Sequence, residues 1–202
     1  MKITFTPPSD TDVHTYCLYC GNENVQSIMT SERLSYHCSH CKQDNTRALI
    51  IDPKVTWWLD ETQEYWHETA GIFVVNSKDE FLFFERTRHP FGLTIPAGHR
   101  DVGEQPKETA RRELFEETNV KDTHLTHVAT TDIYGDECRR GSDIHRWHIF
   151  TTHVPSTLLV KVDVREGVRP MWLDLNQALS RELTHATRQV ITQYHSEIIR
   201  TT

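Results

Sequence analysis

The segment from residue 98 to residue 120, GHRDVGEQPKETARRELFEETNV, constrains this chain more than any other. Glu113 precedes Glu116 and Glu117 by three and four positions, so in a helix the three carboxylates lie on one face. Like charges on one face weaken an isolated helix, and a hard cation such as Mg²⁺ or Mn²⁺, which prefers oxygen ligands, explains why they stand together. The segment therefore predicts a helix over 105–118 that carries a metal site.

The residues around this helix support the prediction. Pro106 suits a first helical turn, where its missing N–H is no loss, and Asn119 suits the left-handed cap that ends a helix. Gly98 and Gly103 allow the preceding loop to bend tightly. Arg112 offsets part of the negative charge and orients carboxylates by bidentate pairing.

The whole segment resembles the Nudix box, G-x5-E-x7-R-E-U-x-E-E-x-G-U, in which U is an aliphatic residue. The matching positions are Gly98, Glu104, Arg112, Glu113, Leu114, Glu116, Glu117 and Val120. Asn119 stands where the box has its last glycine. Because that position caps a helix and binds no metal, we expect activity to survive the departure.

The resemblance implies a Nudix fold, an α+β architecture with a mixed β-sheet sandwiched between α-helices. It implies that Glu113, Glu116, Glu117 and the carbonyl of Gly98 bind catalytic Mg²⁺ or Mn²⁺, and that Glu104 and Arg112 brace the loop and helix. The expected function is metal-dependent hydrolysis of a phosphoanhydride bond in a nucleoside diphosphate linked to another moiety. The alternative of another class is a non-catalytic module that senses nucleotides or binds nucleic acid.

Four of the five cysteines form two C-x-x-C pairs, Cys17 with Cys20 and Cys38 with Cys41. In a cytosolic chain this spacing indicates four thiolates around one Zn²⁺, with two disulfides or a redox dithiol as alternatives. Four protein ligands leave zinc no position for water, so we expect a structural zinc ribbon that supports folding and takes no part in chemistry. Cys138 stands alone and is expected to be a small buried residue.

A zinc ribbon ahead of a Nudix domain is similar to the layout of NADH pyrophosphatases. Members of that group carry an S-Q-P-W-P-F-P-x-S motif after the box, and residues 121–150 contain nothing similar. Hydrolysis of NAD(H) or of NAD-capped RNA is therefore kept as an alternative substrate assignment.

Several residues outside the box are candidates for substrate binding or proton transfer. Arginines in two segments would bind phosphate and an aromatic side chain would stack a base; these are Arg86, Arg88, Arg139, Arg140 and Trp147. A solvated loop with a core tryptophan is the competing interpretation. The base that takes a proton from water is a box glutamate or a later acid, namely Asp136, Glu137, Asp143 or Glu166. The thirteen histidines show no metal-ligand spacing.

Composition limits the remaining possibilities. The 202 residues suit one medium domain with a small accessory module, which we divide into 1–52 (zinc ribbon with a loose tail over 1–15), 53–66 (connector) and 67–202 (Nudix domain). A net charge of -7 gives no strong nucleic-acid signal. With no apolar run long enough to span a bilayer, we expect a cytoplasmic protein that acts on a small nucleotide, with a homodimer left open.

Hydrophobic patterning predicts the other elements. Strands are expected at 34–37, 48–51, 71–75, 81–84, 124–133, 145–154 and 158–164, where apolar residues alternate or cluster between turn residues. Leu183, Ala186, Val190, Tyr194 and Ile198 recur at helical spacing, which predicts a closing amphipathic helix. The tryptophan-rich connector is expected to pack on the main domain.

Overall fold

The computed structural model describes residues 1–29, 34–121 and 124–201. The elements in chain order are β1 (His14–Tyr16), β2 (Val25–Met29), β3 (Leu34–Cys38), β4 (Asp44–Asn45), β5 (Leu49–Ile51), β6 (Trp57–Leu59), β7 (Tyr65–Asn76), β8 (Phe81–Arg86), β9 (Leu93–Thr94), β10 (Ala97–His99), α1 (Pro106–Thr118), β11 (Thr126–Tyr134), β12 (Ile144–Val154), β13 (Gly167–Leu173), α2 (Leu175–Leu179) and α3 (His185–Arg200). Within the described ranges, no helix is long and apolar enough to cross a bilayer.

The main sheet is mixed, as predicted. Its strand order is β11-β12-β7-β8-β13, and β6 and β10 also pair with β7 while β9 pairs with β8. Strands β7 and β12 run parallel from the pair Trp66–Ile144 to the pair Asn76–Val154, whereas the other pairings are antiparallel. The central strand β7 is therefore paired on both edges and is buried along almost its whole length.

Helices cover both faces of this sheet because β7 is apolar on both sides. Ala70, Ile72 and Val74 belong to the cluster that contains Leu114 of α1. The alternate residues of β7, such as Phe73, belong to a second cluster built with α2 and α3. The expected sandwich of a mixed sheet between helices is confirmed.

Helix α1 begins and ends for the reasons that the sequence indicates. Pro106 occupies its first position, and the Gln105 and Glu108 side chains form a capping box. Asn119 adopts the left-handed conformation with φ 59°, and its N–H donates to the carbonyl of Phe115 at 2.8 Å. The asparagine thus does the capping work of the glycine it replaces.

The N-terminal block consists of two small antiparallel sheets, β2-β3-β4 and β1-β5. The prediction of a loose tail is wrong for Ile3, which is 1% exposed and whose N–H donates to the carbonyl of Gln63 at 2.9 Å. Ile3 packs in one cluster with Tyr16, Leu49 and Tyr65. Because Tyr65 is the first residue of β7, this cluster joins the N-terminal block to the main sheet.

The predicted strand at 158–164 is wrong, since no strand is assigned there. The alternation that suggested it still reflects burial: Leu158 and Val160 pack against the α1 side of the core, whereas Leu159 is 94% exposed. The segment packs on the core without pairing in a ladder. Strand β13 follows it and pairs with β8.

The connector does pack on the main domain. Trp57–Leu59 of β6 pairs antiparallel with β7, and the rings of Trp58 and Trp66 stack 5.5 Å apart. The division of the chain at 52/53 and 66/67 stays a prediction.

Candidate active site

Arg112 ties the loop before α1 to the helix. Its guanidinium makes a bidentate pair with Glu104, with Nε to Oε1 at 2.8 Å and Nη2 to Oε2 at 3.0 Å. Nη2 also donates to the carbonyl of His99 at 2.9 Å, and Nη1 donates to Oε1 of Glu113 at 2.6 Å. The hydrogen bond from Arg112 lowers the pKa of Glu104 to about 2. Arg112 therefore braces β10, the loop and the carboxylate face of α1 together.

The three helical carboxylates differ in exposure. Glu117 is 4% exposed and its Oε2 accepts from the N–H of Ala97 at 2.9 Å. The Glu113 side chain is 12% exposed and that of Glu116 is 56% exposed. Two carboxylates thus lie inside the protein and the third opens to solvent.

The buried pair fits a bound cation. Burial raises the pKa of Glu113 to about 7, although Arg112 opposes the shift. Burial, together with the charge of Glu113, raises the pKa of Glu117 well above its ordinary value. A divalent cation between them would remove both penalties, because an opposite charge favours the ionised form and hard cations take oxygen ligands. The residues present therefore suit Mg²⁺ or Mn²⁺.

Gly98 is required by close packing. A Cβ at this position would lie 2.1 Å from Oε1 of Glu113. Any side chain at this position would displace the Glu113 carboxylate, which explains why the segment begins with glycine.

These carboxylates open into a cleft of about 560 Å³. Residues from several segments between Val55 and Ala186 line it, and among them are Arg86, Arg88, Gly98, Arg112, Glu113, Glu116, Glu117, Arg139, Arg140, Trp147 and Glu166. The residues predicted from the box and the arginines predicted for phosphate therefore meet at one site. Glu104 lies behind it as a brace.

A model of the NUDIX domain matches residues 65–194. The chain belongs to the Nudix family of pyrophosphohydrolases.

Similar proteins agree with this assignment. The chain is 30% identical over 120 residues to the NAD-capped RNA hydrolase NudC of Escherichia coli O157:H7, a match that covers 58% of this chain and 38% of the relative. The fold is similar to that of an Ap4A hydrolase of C. elegans, with TM-score 0.54 and 20% identity over 67% of this chain and 99% of the other. It is also similar to the NUDIX domain of Shewanella oneidensis NrtR complexed with ADP ribose, with TM-score 0.54 and 22% identity over 68% of this chain and 89% of the other.

The candidate substrate arginines of the Nudix cleft already have protein partners. Arg88 pairs with Glu166 at 2.9 Å, Arg140 pairs with Asp52 at 2.8 Å, and Arg139 donates to the hydroxyl of Tyr36 at 3.2 Å. These contacts hold the arginines in place at the cleft wall. Their role in phosphate binding stays a prediction.

Trp147 is predicted either to stack a substrate base or to belong to the core, and the structure has features of both. It is 6% exposed and belongs to the core cluster, and its Nε1 donates to Asp136 at 2.8 Å. Its ring also borders the cleft. The buried ring favours the core interpretation over base stacking.

The four loop acids are separated by the structure. Asp136 is buried and bonded to Trp147, and Glu137 and Asp143 form ion pairs with Arg47. Glu166 lines the Nudix cleft, and its charge contributes to the raised pKa of Glu113. Asp136 also lines the cleft but is buried, whereas Glu166 is half-buried and pairs with Arg88; which acid takes the proton of a water stays a prediction.

The four ribbon cysteines converge as predicted. Their sulphurs all lie within 4.8 Å of one another, with Cys17 to Cys41 at 3.6 Å and Cys20 to Cys38 at 3.7 Å, and none is bonded as a disulfide. Four sulphurs held tetrahedrally at 2.3 Å from zinc stand about 3.8 Å apart. The geometry therefore fits a closed zinc site.

Sequence patterns missed a second group of ligand-type residues: His67, His99, Cys138 and His145. They come from four separate segments, so no local spacing indicates them. Cys138 is buried, as expected, but it is not alone.

Proposed function

We propose that this Nudix domain hydrolyses a phosphoanhydride bond in a nucleoside diphosphate linked to another moiety. The observation that carries the proposal is the pair of carboxylates, Glu117 buried and Glu113 with its side chain 12% exposed, facing a cleft whose walls hold five arginines besides Arg112. Carboxylates with a cation and arginines around it suit a substrate with two adjacent phosphates. The cleft volume is also within the usual range for a ligand of nucleotide size.

In this proposal Glu113, Glu116, Glu117 and the carbonyl of Gly98 hold Mg²⁺ or Mn²⁺, which neutralises phosphate oxygens and lowers the pKa of water. Arg86 and Arg88 on one side, and Arg139 and Arg140 on the other, orient the phosphates. Glu166 accepts the proton of the attacking water. Glu104 acts through Arg112 and touches no reacting atom. The four ribbon cysteines hold a structural Zn²⁺.

Hydrolysis of NAD(H) or of an NAD cap on RNA is the second candidate. The NudC relatives favour it, but the match spans only 38% of their length. Trp147 is buried in the core and borders the cleft. NAD(H) and an NAD cap also contain a diphosphate, so the two candidates differ only in the group that is attached to it.

The test is a substrate panel with identification of products. ADP-ribose, Ap4A, NADH and an NAD-capped RNA are each incubated with the full chain and Mg²⁺ or Mn²⁺. We expect cleavage between two phosphorus atoms of at least one of them. A folded, metal-loaded protein that turns over none of these would favour the non-catalytic sensing module instead.

Variants identify the site responsible. Glu116→Gln should lower turnover by at least ~10²-fold, because a ligand charge or a positioned base is lost. Glu104→Gln should lower it less, and Glu61→Gln, an exposed position outside the cleft, should leave it unchanged. Full activity in Glu116→Gln would refute the metal assignment.

A further inference from the structure

Three histidines and one cysteine meet beside the catalytic cleft. His67 lies in β7, His99 in β10 and His145 in β12, while Cys138 lies in the loop that joins β11 to β12. One ligand atom from each lies within 4.8 Å of those of the other three. The parallel pairing of β7 with β12 places His67 and His145 directly opposite each other.

Three of the four members of the cluster are buried, and His99 is half-buried. His67 is 0% exposed, His145 is 2% and Cys138 is 8%. Nε2 of His67 and Nε2 of His99 lack a hydrogen-bond partner among the described residues, and so does Nδ1 of His145, which lies 3.1 Å from Asp136 without hydrogen-bond geometry. Because a buried polar atom left unpaired costs about 1–3 kcal/mol, hydrogen bonding within the protein does not account for this arrangement.

The donor set and spacing suit one kind of ligand. Imidazole nitrogen and thiolate sulphur are the donors that Zn²⁺ takes in proteins, whereas Mg²⁺ takes oxygen. In a tetrahedral zinc site a nitrogen and a sulphur ligand stand about 3.6 Å apart. Sγ of Cys138 and Nδ1 of His67 are 3.5 Å apart.

We propose that His67, His99, Cys138 and His145 form a second zinc site, separate from the ribbon cysteines and from the carboxylates of the box. Four protein ligands close the coordination sphere, so this zinc is structural. Asp136 supports it from outside: Oδ2 lies 3.1 Å from Nδ1 of His145 and accepts from Trp147 at 2.8 Å. A carboxylate behind a ligating histidine is a common device for orienting the ring.

The site would set the shape of the cleft wall. His99, Cys138 and His145 all border the cleft. The carbonyl of His99 accepts from Arg112 at 2.9 Å, and Arg139 and Arg140 follow Cys138 directly in the chain. Zinc bound there would hold β10 and the arginine-bearing loop to the central strands.

The count of zinc per chain tests the proposal. The full chain is purified without added metal, dialysed against excess Mg²⁺ to clear zinc from the box carboxylates, and measured by elemental analysis. We expect two zinc ions per chain, and one in Cys138→Ala. The matched control is His153→Ala, an exposed histidine of the same strand as His145, which should keep two.

X-ray absorption at the zinc edge of the unaltered protein covers the case in which Cys138→Ala fails to fold. Mixed sulphur and nitrogen coordination is expected, because only the second site supplies imidazole. A single zinc with sulphur ligands alone would overturn the proposal, as would two zinc ions retained in a folded Cys138→Ala.

Discussion

Arg112 shows at the residue scale how one side chain organises a catalytic segment. It reaches Glu104 in the loop, the carbonyl of His99 in β10 and Glu113 on its own helix. Glu104 gains further hydrogen bonds from the hydroxyl of Thr109 at 2.8 Å and the N–H of Asp101 at 3.2 Å. The hydrogen bonds from Arg112, Thr109 and Asp101 all favour the ionised form of Glu104, which is why the pKa of Glu104 is low.

This pairing makes stability depend on pH in a defined direction. The folded pKa of Glu104 is about 2, against an ordinary value of 4.5, so its contribution is complete above the ordinary value and is lost as pH falls toward 2. We expect the difference in free energy of unfolding between the unaltered chain and Glu104→Gln to be constant above about pH 5 and to shrink below it. Denaturant titrations at a series of pH values measure this difference, in which any zinc loss common to both proteins cancels. A difference that does not change with pH would contradict the prediction.

At the scale of elements, the loop between β11 and β12 is held from the N-terminal block. Arg47 donates to the carbonyl of Cys138 at 2.9 Å and of Ser142 at 3.0 Å, and it pairs with Glu137 at 2.9 Å and with Asp143. The N–H of Ala48 donates to the carbonyl of Arg139 at 3.2 Å. The N-terminal block thus supports a wall of the cleft through Arg47, although Arg47 itself does not line the cleft.

Arg47→Ala should therefore weaken both stability and substrate binding. Hydrogen bonds to charged groups contribute about 1.5–3 kcal/mol each, so we expect a loss of at least about 2 kcal/mol in the free energy of unfolding and a rise in KM that exceeds the fall in kcat. Arg47→Lys should recover only part of the lost stability and substrate binding, because an ammonium cannot reproduce the planar, forked geometry of the guanidinium. Denaturation and steady-state kinetics measure the two effects. Unchanged stability in Arg47→Ala would show that these contacts do not support the loop.

At the scale of the whole molecule, the two modules share one apolar cluster. Tyr65 is 0% exposed, and its hydroxyl donates to the carbonyl of Ile50 at 2.8 Å. Ile3, Tyr16, Leu49 and Tyr65 belong to the same cluster. The N-terminal block therefore completes the burial of the first residue of β7, while Glu113, Glu116 and Glu117 all come from the Nudix domain.

Removal of the block should separate folding from chemistry. For residues 54–202 we expect a lower melting temperature, since exposing even one large apolar side chain costs on the order of 1.5–3 kcal/mol. The kcat of the folded fraction should stay within ~10-fold of the full chain, a loss of no more than ~1.4 kcal/mol of barrier. Thermal unfolding and kinetics on the best substrate measure the two quantities. A folded truncation with no turnover would instead indicate that the ribbon contributes to the site.

Much of this protein could be predicted from local spacing. The helix of the box, its cap at Asn119 and its shared carboxylate face depend on residues within a few positions of each other, so helical geometry alone places them. The pairs Cys17–Cys20 and Cys38–Cys41 are local in the same sense. The apolar run over 71–75 likewise predicts a strand, and it forms the second half of β7.

Tertiary structure decided what depends on residues far apart in the chain. Apolar residues alternate in the segment 158–164 as they do in a strand. Whether the segment pairs in a sheet depends on the presence of a free strand edge beside it, which its own sequence does not determine. Strand order and register decide that Arg47 contacts the distant loop. They also decide that one group forms from His67, His99, Cys138 and His145. The parallel pairing of β7 and β12 places His67 opposite His145, and the pairing of β10 with β7 brings His99 beside them, so the group exists only once the sheet has formed.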